Sequence, residues 1–246
     1  MGLYQPRQLL PIEDVMLADD SPLNRDLFLV VSSTTEEFTT LFSVPPPAGI
    51  RPITILYRAK GPLIDSTTDT TRYKIYLSVN TRHYARLVYQ LGHELCHIFT
   101  DPRRANWFVE SCCAMASTVL LYRMSNLWSN NPPWPNWRSY APKFQQYAQN
   151  IIGDAQDAEQ PAPRQGQVLN AEILYPLFEE SSDSWNALTY LGKASTSPPN
   201  DEDRTDWNKH EVGFSFDRWL QVVPHNLKRT VQTIHDMPSE RWDNRP

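Results

Sequence analysis

The stretch YARLVYQLGHELCHIFTDPRRANWFVESCCAMASTVLLY (residues 84–122) contains two helical patterns joined by a short polar segment. In the first pattern, apolar side chains recur every three or four residues after Arg82, which predicts an amphipathic helix. The polar segment contains Asp101-Pro102, a pair that can supply the N-cap and the first residue of a second helix. We expect that second helix to run to about Met124 and to fold back along the first.

The first of these helices carries the pattern HExxH, as His93-Glu94-Leu95-Cys96-His97. Residues four apart lie on one face of a helix, so the two imidazoles can share one metal ion. The intervening glutamate can then reach a metal-bound water and act as a general base. Each residue of a helix is rotated by about 100° around the helix axis. Measured from His93, His97 therefore lies at about 40°, whereas the leucines of the helix lie between about 120° and 200°. The helix is therefore expected to pack on one side and to present both histidines on the other.

Glu110 is the only charged residue between Trp107 and Tyr122, in a helix that is apolar nearly all round. A buried carboxylate without a partner is unfavourable, so it is normally neutralised, paired or bound to a metal. If the second helix folds back from a turn near Asp101, Glu110 approaches His93 and His97. Two histidines and one glutamate leave the fourth position of a tetrahedral zinc ion for water, as in catalytic sites. The sequence thus predicts one Zn²⁺ per chain with these three metal ligands.

These residues resemble the zincin metallopeptidases of the gluzincin branch, in which a downstream glutamate, often in a W-x-x-E-G/S setting, is the third metal ligand. That setting reads Trp107-Phe108-Val109-Glu110-Ser111 in this chain. The resemblance covers residues 27 to 124 and implies a zinc peptidase with Glu94 as the catalytic general base. It also implies a small twisted sheet before the HExxH helix, with an edge strand that pairs with extended peptide substrate. Tyr73 to Val79 is expected to be that strand.

Three upstream segments are predicted to be strands of this sheet. Leu27 to Val31 and Ile53 to Tyr57 are short, apolar and β-prone, and Tyr73 to Val79 alternates as a half-buried or edge strand does. Ser33 to Ser43 is expected to be a short helix, because it opens with the spacing of a capping box. The expected fold class is therefore α+β.

Prolines interrupt the C-terminal half, which is predicted to be mostly helical. The chain has 21 Pro but only 8 Gly, and weaker helical patterns return at Ala171 to Phe178, Ser184 to Leu191 and Arg218 to Val223. We expect one zincin-like domain over residues 1–246. In it, residues 1–126 supply the sheet and the two site helices, and residues 127–246 supply a helical subdomain.

The composition argues against a nucleic-acid-binding, membrane-spanning or secreted protein. A net charge of −5 with scattered Lys and Arg argues against nucleic-acid binding. No stretch reaches the roughly 18–20 apolar residues of a membrane span, and the N-terminus lacks the pattern of a secretory signal. The three cysteines, Cys96, Cys112 and Cys113, are too few and too odd in number for a disulfide framework. We therefore expect a cytoplasmic protein whose cysteines pack as small apolar side chains.

Our leading hypothesis is a zinc peptidase that acts on peptides or proteins, with its oligomeric state left open. One alternative is a zincin-like protein that binds metal for structure or regulation without proteolysis. Another is a structural or interaction protein without metal, which leaves the isolated Glu110 unexplained. For the histidines alone the alternative is ordinary helix residues, and for Glu110 alone it is a salt bridge to a buried arginine. Trp128 to Trp137 is either a peptide groove or a proline-aromatic loop over the core, and we expect the latter. The residue that would stabilise the oxyanion is not assigned; the candidates are Tyr190, His210, His225 and His235.

Overall fold

The computed structural model describes residues 10–47, 49–179, 183–196, 214–238 and 241–242. Their strands are β1 (Ile12–Met16), β2 (Ile53–Tyr57), β3 (Leu63–Asp65) and β4 (Tyr73–Leu77). Their α-helices are α1 (Ser21–Thr39), α2 (Tyr84–Thr100), α3 (Trp107–Asn130), α4 (Ala141–Gln156), α5 (Pro163–Glu179), α6 (Leu191–Ala194), α7 (Phe216–Val222) and α8 (Lys228–His235). Three 3₁₀ helices cover Pro135–Tyr140, Ser184–Tyr190 and His225–Leu227. The predicted α+β class with a helical C-terminal part is confirmed.

The strands form one mostly parallel sheet in the order β1-β2-β4-β3. β1 and β4 both pair parallel with β2, and β3 pairs antiparallel with β4. Ile53, Ile55 and Ile75 are fully buried in the two central strands, as expected for β-branched residues enclosed by neighbours. The buried apolar side chains form one cluster that extends from Leu10 to Trp242. None of the helices that the structure describes has the length and apolar character needed to cross a membrane.

The predicted strand at Leu27 to Val31 is wrong, because these residues lie inside α1. A short apolar run fits a buried helix as well as a strand, and a proline in the first turn starts the helix well before this run. The predicted helix at Ser33 to Ser43 is therefore the second half of a longer helix that ends at Thr39. Ser33 is not a cap; it is buried, and its Oγ accepts a hydrogen bond from Trp128 Nε1 at 3.0 Å.

The strand predicted at the sheet edge, Tyr73 to Val79, lies inside the sheet and ends at Leu77. β3 covers the side of β4 that was expected to be free, with Ile64 opposite Ile75. Because β3 has only three residues, it is too short to show an alternating pattern in the sequence. The edge strands of this sheet are therefore β1 and β3.

α2 and α3 pack along each other, as the fold-back of the two helical patterns predicted. The turn between them is longer than expected, since α3 begins at Trp107 and not at Pro102. Its N-cap is Asn106, whose side chain accepts hydrogen bonds from the amides of Phe108 and Val109, both at 3.0 Å. The predicted N-cap, Asp101, instead ends α2 in a left-handed conformation with φ 77°.

Trp128 lies near the end of α3, four residues past the end predicted at Met124, and its side chain is fully buried. Its ring stacks on that of Trp137, with centroids 5.4 Å apart and planes at 22°. Trp137 belongs to the 3₁₀ helix Pro135–Tyr140 and packs against the main core. This aromatic stretch covers the core, as expected, although it is helical and not a loop.

Candidate metal site

His93 and His97 of α2 face Glu110 of α3 across the helix pair. His93 Nε2 lies 3.0 Å from Glu110 Oε2, and His97 Nε2 lies 3.4 Å from Glu110 Oε1. Ligand atoms about 2.1 Å from a tetrahedral zinc ion are about 3.4 Å from one another, and the separation between His97 and Glu110 matches that spacing. The shorter separation between His93 and Glu110 is that of a direct hydrogen bond. The structure thus brings together the three side chains that the sequence analysis named as metal ligands.

The close approach of the two helices depends on a glycine next to the first histidine. A Cβ added at Gly92 would lie 2.8 Å from Leu120 Cδ2 and 3.4 Å from Ser117 Cα. Any larger residue at this position would therefore push against α3. The glycine allows α3 to pack directly against α2, which is what carries Glu110 to the histidines.

The site is almost enclosed by the protein. Glu94, His97 and Glu110 are buried, whereas the side chain of His93 keeps 14% of its exposure. Any ion or ligand that enters would therefore pass His93. Glu94, the predicted general base, lies close enough for its charge to act on His93.

Charge in the site favours an ionised carboxylate. Burial acts to raise the pKa of Glu110, but the charge of His97 and the hydrogen bond to His93 outweigh burial and hold that pKa far below its usual range. Burial acts to lower the pKa of His93, yet the hydrogen bond and charge of Glu110 raise it overall. Glu110 is thus an anion ready to bind a cation. Without a metal ion, the His93–Glu110 contact is a charge-assisted hydrogen bond in its own right.

Among the described residues, two buried polar atoms of the site have no hydrogen-bond partner, Glu110 Oε1 and His97 Nδ1. An unsatisfied buried polar atom costs about 1–3 kcal/mol. A cation held between the imidazoles and the carboxylate would satisfy Glu110 Oε1. Imidazole and carboxylate are also common zinc ligands. On both observations the residues fit a zinc ion.

Cys113 is a neighbour of the site that the sequence analysis did not identify. Ligand atoms of His93, His97 and Cys113 all lie within 4.8 Å of one another, which is compatible with a metal ion of unspecified identity. The residue is fully buried, as predicted, but it follows Glu110 by three residues and so shares its helix face. That spacing was the signal available in the sequence. Burial, followed by contact with Cys96, raises the pKa of the Cys113 thiol well above its ordinary value.

The described candidates for oxyanion stabilisation make their contacts elsewhere. The Lys193 ammonium lies over the Tyr190 ring, 4.9 Å from its centroid, and His225 is exposed in a 3₁₀ helix. His235 lies 2.9 Å from a carboxylate oxygen of Asp217 and of Asp236. Among the described residues, none of these three candidates hydrogen-bonds to His93, His97 or Glu110. His210 lies outside the described residues.

Comparisons with known proteins returned no match, whether to a family model, to a curated protein or to a solved structure. The resemblance to gluzincins therefore remains an expectation from the HExxH motif and the segment from Trp107 to Ser111.

Proposed function

We propose that this protein is a zinc-dependent peptidase in which His93, His97 and Glu110 hold one zinc ion and Glu94 is the general base. The observation that carries the proposal is the position of the Glu110 carboxylate, 3.0 Å from one HExxH imidazole and 3.4 Å from the other. Side chains from α2 and α3 meet at this place. Among the described residues, Glu110 Oε1 has no hydrogen-bond partner.

Zinc at this position would lower the pKa of a bound water towards about 7 and polarise a peptide carbonyl. The protein contributes the proton transfers. Glu94 accepts the proton of the attacking water and passes it to the leaving amine. Its position directly after His93 and its burial keep it beside the reacting groups and away from bulk solvent. Before an ion binds, the charge of His97 and the hydrogen bond to His93 lower the pKa of Glu110 and keep its carboxylate ionised.

The proposed substrate is a peptide or protein, the class that the resemblance to the gluzincins implies. A peptide can add to the edge of a sheet through main-chain hydrogen bonds, and β3 is an edge strand in contact with the HExxH helix α2. Leu63 and Ile64 of β3 are buried, so β3 does not present an open edge in this structure.

The enclosure of the site favours a second candidate, a metal-binding protein without proteolytic activity. Three of the four site residues are buried, so a metal ion here could tie α2 to α3 without meeting a substrate. Such a structural ion would contribute much of the folding free energy, whereas a catalytic ion is dispensable for folding. The two candidates therefore differ in the stability of the metal-free protein.

Metal content and activity of three forms test the proposal: wild type, His97→Ala and Glu94→Gln, each purified without a histidine tag. Mass spectrometry of the metal should find one zinc per chain in wild type and Glu94→Gln, and little in His97→Ala. Wild type should cleave a peptide library, and Glu94→Gln should be slower by about 10²–10⁴-fold. Equal cleavage by Glu94→Gln would refute the mechanism. Zinc without cleavage, combined with unfolding on chelation, would establish the second candidate.

A further inference from the structure

A cavity of about 1070 Å³ lies at the C-terminal end of α2. Its wall includes Ile98, Phe99 and Thr100 of that helix but none of the four residues of the candidate metal site. The loop after β3, the turn after α2 and helices α6 and α7 complete it. It is therefore a separate feature, which begins where the HExxH helix ends.

The charge of this cavity is opposite to that of the chain. Among the described residues that line it, one side chain is acidic, Asp101, and five are basic: Arg51, Arg103, Arg104, Lys193 and Arg218. The whole chain carries a net charge of −5. Basic side chains repel one another when they share a wall, so such a concentration favours an anionic occupant.

Arg51 is held in a fixed orientation on one wall. Its guanidinium donates to the carbonyls of Asp69 at 2.9 Å and Ser66 at 2.8 Å, and it lies over the Tyr73 ring at 4.0 Å. A guanidinium has five N–H donors, so these two bonds leave others for a ligand. No described carboxylate forms an ion pair with Arg51.

The opposite wall offers two further cations. Lys193 contacts the face of Tyr190, and the Arg218 side chain has no hydrogen bond or ion pair within the described residues. Both side chains are exposed. Arg103 and Arg104 share the single acid of the wall, since each places Nε 3.3 Å from an oxygen of Asp101. Among the described residues of the wall, one carboxylate therefore faces two guanidiniums, and basic side chains outnumber acidic ones.

The base of the cavity is rigid. A Cβ added at Gly192 would lie 2.7 Å from Asp101 Cβ and 2.9 Å from the carbonyl oxygen of Thr100. At Gly192, α6 therefore packs closely against the turn after α2. This packing fixes the backbone of the next residue, Lys193. Of the cationic side chains, Arg51 is held in place by its two hydrogen bonds before any ligand binds, which lowers the entropic cost of binding at that wall.

We propose that this cavity binds a compact anion with several negative charges, of the oligophosphate or polycarboxylate class. Guanidinium groups bind phosphate and carboxylate through paired hydrogen bonds, and Lys193 adds a mobile point charge. The side-chain hydroxyls of Ser66 and Thr70 in the wall supply further donors. The volume is that of a small-molecule site.

Isothermal titration of the full chain with tripolyphosphate and with citrate tests this assignment. The double variant Lys193→Gln/Arg218→Gln should weaken binding by about tenfold or more, because two charge-assisted contacts are lost. The matched control Lys228→Gln/Arg229→Gln removes the same charge from exposed positions of α8 outside the cavity and should change affinity by less than about twofold. If the double variant does not fold, Arg103→Gln repeats the test at a third exposed position.

Both anions chelate zinc, so His97→Ala is titrated in parallel. It should bind the anion as wild type does, which separates this cavity from the proposed metal site. The stronger of the two anions identifies the class of ligand. Four outcomes would overturn the assignment: no binding at millimolar anion, equal losses in the variant and its control, loss of binding in His97→Ala, or binding of an oligoglutamate peptide but of neither small anion.

Discussion

Glu110 and Cys113 both approach the histidine pair, and replacing each in turn shows which of them completes the metal site. Glu110→Gln keeps the size of the side chain and removes its charge, and Cys113→Ala removes the sulfur. Cys112→Ala is the matched control, because Cys112 is also fully buried on α3 but does not belong to the cluster with the histidines. We expect Glu110 to be the ligand, since its two oxygens reach both imidazoles.

The size of the expected effect follows from the share of one ligand in zinc binding. Structural zinc sites with four ligands bind with about 10–16 kcal/mol, or about 3 kcal/mol for each ligand. Glu110→Gln should therefore weaken zinc binding by about 100-fold. Cys113→Ala and Cys112→Ala should both stay within about threefold of wild type and should lose similar stability, about 1 kcal/mol.

Competition against a chromophoric zinc chelator measures these affinities, and urea unfolding of the metal-free proteins checks that each variant is folded. The reasoning is refuted if Cys113→Ala loses about 100-fold while Glu110→Gln binds as wild type. The ligands would then be His93, His97 and Cys113, and the similarity to gluzincins, which depends on the glutamate, would be lost.

Three further predictions concern packing, pH and metal removal. Gly192→Ala should destabilise the protein by about 1–3 kcal/mol, because the added Cβ would lie 2.9 Å from the backbone carbonyl oxygen of Thr100. Gly153→Ala is the control: its Cβ would have no atom within 4 Å, and it should stabilise α4 by about 0.5–1 kcal/mol. Urea unfolding compares the two variants. Hydrogen bonds to Asp236 and Asp217 raise the pKa of His235 in the folded protein above 6.5. The contribution of the protonated His235 to folding stability is therefore complete below pH 6.5 and disappears as the pH rises through the raised pKa. The stability difference between wild type and His235→Gln should therefore be larger at pH 6 than at pH 9, and below about 1 kcal/mol because the imidazole is part-exposed. Removing zinc with a chelator should abolish peptide cleavage but leave the far-ultraviolet circular dichroism spectrum unchanged, and a large loss of helical signal would contradict a catalytic ion.

The elements that could be predicted are those with a long, uniform pattern. α2 combines a leucine face with an opposed histidine pair over seventeen residues, so both its helical state and the direction of its histidines followed from the sequence. β2 was predicted with its observed bounds, Ile53–Tyr57. The approach of Glu110 to the histidines followed from the fold-back of two adjacent helices.

The elements that could not be predicted are short or ambiguous, or depend on contacts far along the chain. The apolar run from Leu27 to Val31 fits strand and helix equally, and only its packing inside α1 distinguishes them. β3 is too short for a pattern, and without it β4 looked like an edge strand. The position of Asp101 favoured a helix start, but a residue at φ 77° cannot cap one, and Asn106 serves instead. The proposed anion-binding cavity joins five separate parts of the chain, so no local pattern could indicate it.

The contact of Gly192 with the turn after α2 bears on the order in which the protein assembles. During synthesis the HExxH motif and Glu110 leave the ribosome early, while the segment that holds their turn in place is made much later. An incomplete chain would therefore contain every candidate ligand and still lack the support that fixes their spacing. The turn between the two helices that carry the candidate ligands would therefore lack this packing until α6 has been made.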